Sequence, residues 1–151
     1  MRSLLLSVSL IVAFVFNCSE ASAQARTAAS PVPAASAITS SPAYAEILLR
    51  KTELEADIES FLIEYTEDYP KLKESRYQAA SLQQEMDRLL AIKPAEVSKL
   101  TLALGKLIVR KCELETELWN LLSLYKDGHP DVKRAKRKVE VYEQAIKQIL
   151  G

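Results

Sequence analysis

The chain has 151 residues, with 20 basic and 20 acidic side chains, one histidine and two cysteines. Because the formal net charge is zero, no overall field draws the chain to nucleic acid, and we expect no nucleic-acid partner. A single histidine cannot complete the paired Glu-x-x-His motifs of a di-iron bundle, and alone in a predicted turn it is a poor basis for a catalytic triad. We therefore expect neither an enzyme nor a cofactor.

Residues 1–23 have the order of a secretory signal. Met1 and Arg2 form a short basic start, residues 4–16 form an apolar run, and small residues stand at Ala21 and Ala23, where a cleavage site requires them. The run is shorter than the roughly 20 residues that span a bilayer. The sequence predicts cleavage after Ala23 and a periplasmic or secreted protein; the alternative is a membrane tether through an uncleaved segment.

Residues 24–42 are rich in alanine, serine, threonine and proline and show no apolar period. This composition is typical of flexible, partly extended linkers. We predict a disordered tether here, followed by the folded part of the chain.

Only Cys112 lies beyond the predicted cleavage site, so the mature chain has no second cysteine for an internal disulfide. In an oxidising compartment the thiol could pair with a cysteine of another chain. The alternative is an inert thiol packed on a helix.

The sequence contains an internal duplication. Residues 46–90 match residues 106–150 at 11 of 45 positions when shifted by sixty, and the matches include Arg50-Lys51 with Arg110-Lys111. A repeat of this length indicates one supersecondary unit that occurs twice. We predict one helical hairpin over 43–92 and a second over 93–151.

Apolar residues recur at alternating steps of three and four, the pattern of helices that share a coiled-coil seam. Of 28 seam positions, 25 are apolar. The predicted helices cover 44–67, 71–92, 95–127 and 130–150. Leu48, Leu62, Ile108 and Leu122 widen the apolar stripe, which favours more than two helices. The fold class is therefore all-α: two tandem antiparallel hairpins, folded as an antiparallel four-helix bundle or extended at Pro94.

Lys51 and Lys111 interrupt the seam at the same place in both repeats. A polar residue at a core heptad position weakens packing but fixes register and partner number. We assign both lysines this register-setting role.

The two turns are also duplicated, as YTEDYPKLK at 65–73 and YKDGHPDVK at 125–133. Proline disfavours a helical residue before it and is tolerated in the first turn of a helix, and glycine at Gly128 can take the left-handed conformation that ends a helix. We predict that each copy closes a hairpin, with the tyrosine covering the proline. The predicted turn motif comprises Tyr65, Pro70, Tyr125, Gly128, His129 and Pro130.

The stretch YKDGHPDVKRAKRKVEVYEQAI at 125–146 resembles the periplasmic coiled coil of polysaccharide chain-length determinant proteins, also called polysaccharide co-polymerases. In that family a tyrosine, a His-Pro pair and a following valine or leucine recur at a helix start; Tyr125, His129, Pro130 and Val132 match. The first repeat has Tyr69 in place of the histidine. The resemblance implies an envelope setting and a link to polysaccharide export or assembly.

The last helix opens with a basic block, whereas residues 52–68 carry seven acids and no base. The basic face could bind an acidic polysaccharide or anionic lipid headgroups, or pack beside the acidic helix within or between molecules. The residues of this face are Lys133, Arg134, Lys136, Arg137 and Lys138.

Two functions remain at this level. The first is an exported structural or interaction protein that binds a protein partner or itself through its coiled-coil faces. The alternative is a periplasmic chaperone-like or substrate-binding module, whose client surface would comprise Trp119, Leu124, Leu102 and Val109. These four residues lie off the main seam of the third predicted helix, where core packing is the competing interpretation.

Overall fold

The computed structural model describes residues 34–151, of which 85% are helical and none is in a strand. The predicted signal (1–23) and most of the predicted tether lie outside these residues. The helices are α1 (Ala34–Thr39), α2 (Pro42–Glu64), α3 (Pro70–Leu90), a 3₁₀ helix (Pro94–Lys99), α4 (Leu102–Leu124) and α5 (Pro130–Leu150). The predicted all-α class is confirmed.

Every helix of the first repeat recurs sixty residues later. Ala34–Thr39 corresponds to the 3₁₀ helix, α2 to α4 and α3 to α5, with identical lengths. The residues that start the long helices also correspond: the Ser41 hydroxyl accepts a hydrogen bond from the Tyr44 amide at 3.3 Å, and that of Thr101 from the Leu104 amide at 3.3 Å. Such caps satisfy amides that a helix start leaves free. The duplicated unit therefore includes a short helix before each hairpin.

Two predicted boundaries were wrong. The third helix was expected over 95–127, but residues 94–99 form a separate 3₁₀ helix and α4 begins at Leu102, because Leu100 leaves helical geometry and Thr101 caps a new start. The predicted tether is helical over Ala34–Thr39, and Ile38 is 1% exposed in the main core. Burial of this isoleucine supplies the apolar contact that the composition of the segment did not suggest.

Helix α4 is the centre of the bundle, because it packs on α2, α3 and α5, whereas the main partners of α5 are α4 and the 3₁₀ helix. It runs antiparallel to α3, since Tyr77, Ser81 and Glu85 contact Trp119, Glu115 and Lys111 in that order. It runs parallel to α2, since Ala43 lies beside Gly105 and Arg50 beside Glu113. The two hairpins thus pack side by side.

The seam prediction locates the core. Each predicted seam residue in the four long helices is buried or partly buried, apart from Tyr65 and Tyr125. Ile47, Leu72, Leu82 and Leu104 are completely buried, and each such side chain contributes about 1.5–3 kcal/mol relative to exposure. Within residues 34–151, none of the helices has the length and apolar character that a membrane crossing would need.

Candidate functional site

A buried ion network lies between α3 and α4. The Lys111 ammonium donates to Glu85 at 2.8 Å and is 2.9 Å from Glu115, and only 7% of the lysine side chain is exposed. Arg88 donates to Glu85 at 2.6 Å, and the Ser81 hydroxyl to Glu115 at 2.9 Å. A buried charge is costly unless it is paired and hydrogen-bonded. Here every member of the network has a partner.

Lys111 remains a cation in this environment. Burial alone would lower its pKa, but hydrogen bonds to Glu85 and Glu115 outweigh that effect, so the pKa lies above its usual value. A lysine nucleophile requires the opposite shift, toward a neutral amine. The network is therefore suited to holding α3 and α4 in register, which is the role that the sequence suggests for this lysine.

The two seam lysines have different surroundings. Lys51 pairs with Glu55 on its own helix and keeps 19% of its side chain exposed. Its equivalent, Lys111, reaches across to another helix because α4 is covered by α3, whereas the corresponding side of α2 faces solvent. The network uses residues that the sequence analysis did not single out, Glu85 and Glu115. Of these, only Glu115 carried a signal, its spacing of four residues from Lys111.

Cys112 lies in the same region of α4 and is completely buried. Burial raises the pKa of its thiol to about 11, so the reactive thiolate is suppressed. A disulfide with another chain, one of the two alternatives for this residue, would require the bundle to open. The structure places the Cys112 thiol in the core, as the second alternative expects.

The two hairpin turns adopt the same structure. Tyr65 and Tyr125 end their helices in extended backbone, and Pro70 and Pro130 occupy the first helical positions that follow. Instead of covering the prolines, the tyrosines stack on the residue that precedes each proline. The ring centroids of Tyr65 and Tyr69 are 4.0 Å apart, and those of Tyr125 and His129 are 4.2 Å apart.

His129 and Gly128 both lie in the predicted turn, and the conformation of Gly128 differs from the predicted one. The His129 Nδ1 accepts a hydrogen bond from the Asp131 amide at 3.2 Å, so this histidine both caps α5 and stacks on Tyr125. Gly128 does not adopt the left-handed conformation, which among the described glycines occurs at Gly151. Asp68 holds the same position in the first repeat, and both turns are closed by the same hydrogen bond, from the amide of the residue before the proline to a carbonyl three residues earlier. The backbone conformation at position 128 does not require glycine.

The basic face of α5 is exposed but partly neutralised. Lys136 donates to Asp127 at 2.9 Å, and Arg137 to Glu140 at 2.9 Å. Arg134 bonds Asp131, and that hydrogen bond lowers the pKa of the Asp131 carboxyl. The remaining members, Lys133 and Lys138, are exposed. The acidic helix α2 is not among the main partners of α5, so the two charged helices do not pack side by side within the molecule.

The predicted client surface is divided by the fold. Trp119 stacks on Tyr77 with ring centroids 5.0 Å apart, and Val109 packs on the core. Leu102 is 47% exposed and Leu124 is 73% exposed. Packing against the first hairpin therefore removes two of the four residues from a continuous surface. No three His, Cys, Asp or Glu side chains in residues 34–151 are grouped so that they could hold a metal ion.

Comparisons of the sequence with protein-family models and curated proteins, and of the structure with solved structures, find no match. The resemblance of residues 125–146 to polysaccharide chain-length determinant proteins stays a prediction.

Proposed function

We propose that this protein is an exported helical scaffold of the cell envelope that works through protein–protein contacts on its helix faces. The alternation of apolar residues builds a bundle in which helix α4 of the second hairpin packs on both helices of the first. The compartment follows from the signal-like order of residues 1–23. The chemistry at the best-defined polar cluster, a lysine held as a cation between two carboxylates, favours a structural part in the bundle.

One observation carries this proposal. Twelve large hydrophobic side chains among the described residues are 37–86% exposed. Leu48 and Leu49 lie on α2, and Val141 of α5 lines a shallow depression together with Leu107, Tyr142 and Ala145. Exposed apolar patches are typical of sites that bind other proteins.

A photo-crosslinking amino acid placed at Leu48 or Val141 in the cell tests the protein contacts. We expect adducts whose mass increase equals that of a polypeptide, with little or no adduct from the same probe at Gln83, an exposed position on α3. Mass spectrometry of the protein from the envelope fraction tests export, and we expect an N-terminus at Gln24. A full-length chain confined to the cytoplasm, or probes that crosslink only to lipid or sugar, would contradict the proposal.

A link to polysaccharide rests on the resemblance of residues 125–146 and on the basic face of α5. The free charge of that face resides mainly in Lys133 and Lys138, because the other three members have acidic partners. We expect a double Lys133→Gln and Lys138→Gln variant to lose binding to an acidic polysaccharide, measured by co-sedimentation. Equal retention of the polysaccharide by wild type and variant would remove this part of the proposal.

A further inference from the structure

The interface between the two hairpins is a helix lying in a groove. Helix α4 fills the groove between α2 and α3, whose floor includes Ile47, Leu54 and Leu82, each no more than 3% exposed. On the two walls, Arg50 approaches Glu113 at 3.9 Å and Tyr77 stacks on Trp119. The first hairpin thus serves as a receptor for the first helix of the second hairpin.

The second hairpin carries the same groove, but nothing within residues 34–151 fills it. Sixty positions after Ile47 and Leu82, Leu107 and Tyr142 are only partly buried, whereas Leu114, the equivalent of Leu54, is 3% exposed. Val141 is 50% exposed, and its equivalent Ser81 is partly buried and hydrogen-bonded to Glu115 of α4. We call this surface the open groove. Its residues are Leu107, Arg110, Lys138, Val141, Tyr142 and Ala145.

Helix α2 carries the matching surface. The side of α4 that packs on the first hairpin includes Gly105, Ile108, Val109, Cys112 and Thr116. The residues sixty positions earlier are all exposed, including Leu48 at 44% and Leu49 at 58%, whereas Ile108 is 1% exposed. We call this surface the free face of α2. It consists of Ala45, Leu48, Leu49, Thr52 and Ala56.

The charges beside the two surfaces are complementary. Arg50 of the internal groove corresponds to Arg110 on the open groove, and its contact Glu113 corresponds to Glu53 beside the free face. In the same way Tyr77 corresponds to Arg137 and Trp119 to Glu59, so a pair of opposite charge replaces the aromatic stack. Both residues of this second pair are exposed. Opposite charges at corresponding positions favour docking in this register and disfavour others.

We propose that a second copy of this chain inserts its α2 into the open groove, so that the interface between hairpins is repeated between molecules. Continuity with the internal interface and the complementary charges identify the occupant. Each copy presents one groove and one free face, so the contact is head-to-tail and can continue into a ring or filament. The inference names a partner for the proposed scaffold and rests on that function.

The repeated interface differs from the internal one at several points. Besides the Arg137–Glu59 pair, Ala145 and Lys51 stand where Glu85 and Lys111 form an ion pair in the internal interface. Gly105 allows α4 to approach Ala43 closely, since a Cβ on Gly105 would lie 2.9 Å from the Ala43 Cα and carbonyl oxygen. Its equivalent in the second copy, Ala45, already carries a Cβ. The helices of different copies must therefore lie further apart at this end, and we expect association between copies that is reversible and concentration-dependent.

Complementation between two blocked variants is the sharpest test. Leu48→Glu blocks the free face, and Val141→Glu blocks the open groove. We expect each variant alone to be monomeric by analytical ultracentrifugation, while wild type associates as its concentration rises. An equimolar mixture should form a dimer, because the intact groove of Leu48→Glu can bind the intact free face of Val141→Glu. The dimer cannot grow, because its two outer surfaces are the blocked ones. The matched control is Leu90→Glu, which places the same charge on α3, outside both surfaces, and should associate like wild type.

A charge exchange tests the register. Arg137→Glu or Glu59→Arg alone should weaken association about tenfold, and the two substitutions together in one chain should restore it. Circular dichroism of every variant confirms that the helices are retained.

A wild-type protein that stays monomeric at all concentrations would overturn the inference, as would a mixture of blocked variants that does not dimerise. Crosslinks from Leu48 to a different protein would also overturn it, yet they would leave the proposed scaffold function in place. Absence of any protein crosslink from the envelope would remove both.

Discussion

The ring of Tyr125 lies parallel to the imidazole of His129, with an interplanar angle of 18°, and Tyr65 and Tyr69 form the same stack sixty residues earlier, at 10°. Both tyrosines are nearly half exposed, at 43% and 45%. Each stack joins the first residue after one helix to the residue immediately before the next helix. It therefore fixes the reversal of each hairpin by a contact that spans the turn.

Removal of either tyrosine should destabilise the fold by a similar amount. Loss of a fully buried aromatic ring costs about 3–5 kcal/mol, and because the rings are nearly half exposed we expect roughly half of that for Tyr125→Ala and Tyr65→Ala. Chemical denaturation measures the free energy of unfolding. Tyr125→Phe, which keeps the ring, is the matched control and should stay close to wild type.

His129→Ala should also destabilise the protein, contrary to what an exposed turn histidine suggests from sequence. The variant loses a helix cap worth about 1 kcal/mol and a stacking contact worth about 0.5–1.5 kcal/mol. His129→Tyr, which copies the first repeat, retains the stack and should recover part of the loss. An unchanged unfolding midpoint for His129→Ala would show that neither contact matters.

Gly105 and Gly128 should respond in opposite ways to substitution by alanine. At Gly105 the added Cβ would lie 2.9 Å from Ala43 and from the Cβ of Glu46, and overpacking of this kind costs about 1–3 kcal/mol. At Gly128 a Cβ meets nothing within 4 Å, so Gly128→Ala should be neutral or stabilise by about 0.4–1 kcal/mol. Unfolding of both variants by urea measures the difference. Equal stability of the two would contradict the close approach of α2 and α4.

The sequence predicts the core of this bundle well, because burial follows heptad spacing and needs no knowledge of which helices are neighbours. Ile47 and Leu104 were placed correctly for this reason. The arrangement of the helices required tertiary contacts. The parallel pairing of α2 with α4 includes a close approach at Gly105, and the extra short helix buries Ile38. The thiol of Cys112 and the ion partners of Lys111 could be assigned only once α3 was known to cover α4.

Alkaline pH should destabilise the protein through Cys112. The thiol pKa is raised from 9.0 to about 11 by burial. A group with a raised folded-state pKa contributes stability that is present below its unfolded pKa and is lost as pH rises through its folded value. The loss should therefore develop between pH 9.0 and about 11 and reach about 1–3 kcal/mol.

Cys112→Ala should remove this part of the pH dependence, although the variant will be less stable at neutral pH because of the small cavity. Denaturation at a series of pH values measures both effects. In the native protein at pH 8 a thiol reagent should react slowly, and unfolding should accelerate the reaction. Rapid modification of the native thiol would contradict its burial and would reopen the disulfide with another chain.

The last prediction compares the two seam lysines, which occupy equivalent positions but have different surroundings. Lys111→Met leaves Glu85 and Glu115 without their shared cation, and breaking a buried pair by removing one partner costs about 3–5 kcal/mol. Because Glu115 is 23% exposed, we expect the lower end of that range. Lys51→Met removes an ion pair with a half-exposed glutamate, and such surface pairs contribute about 0–1 kcal/mol. The double variant Lys111→Met and Glu85→Gln should recover part of the stability, since it removes the more buried of the two carboxylates that have lost the lysine. The free energies of unfolding of these variants test the prediction. Equal losses of stability at Lys51 and Lys111 would show that the lysines act only through their positions in the heptad. The network between α3 and α4 would then have no separate role.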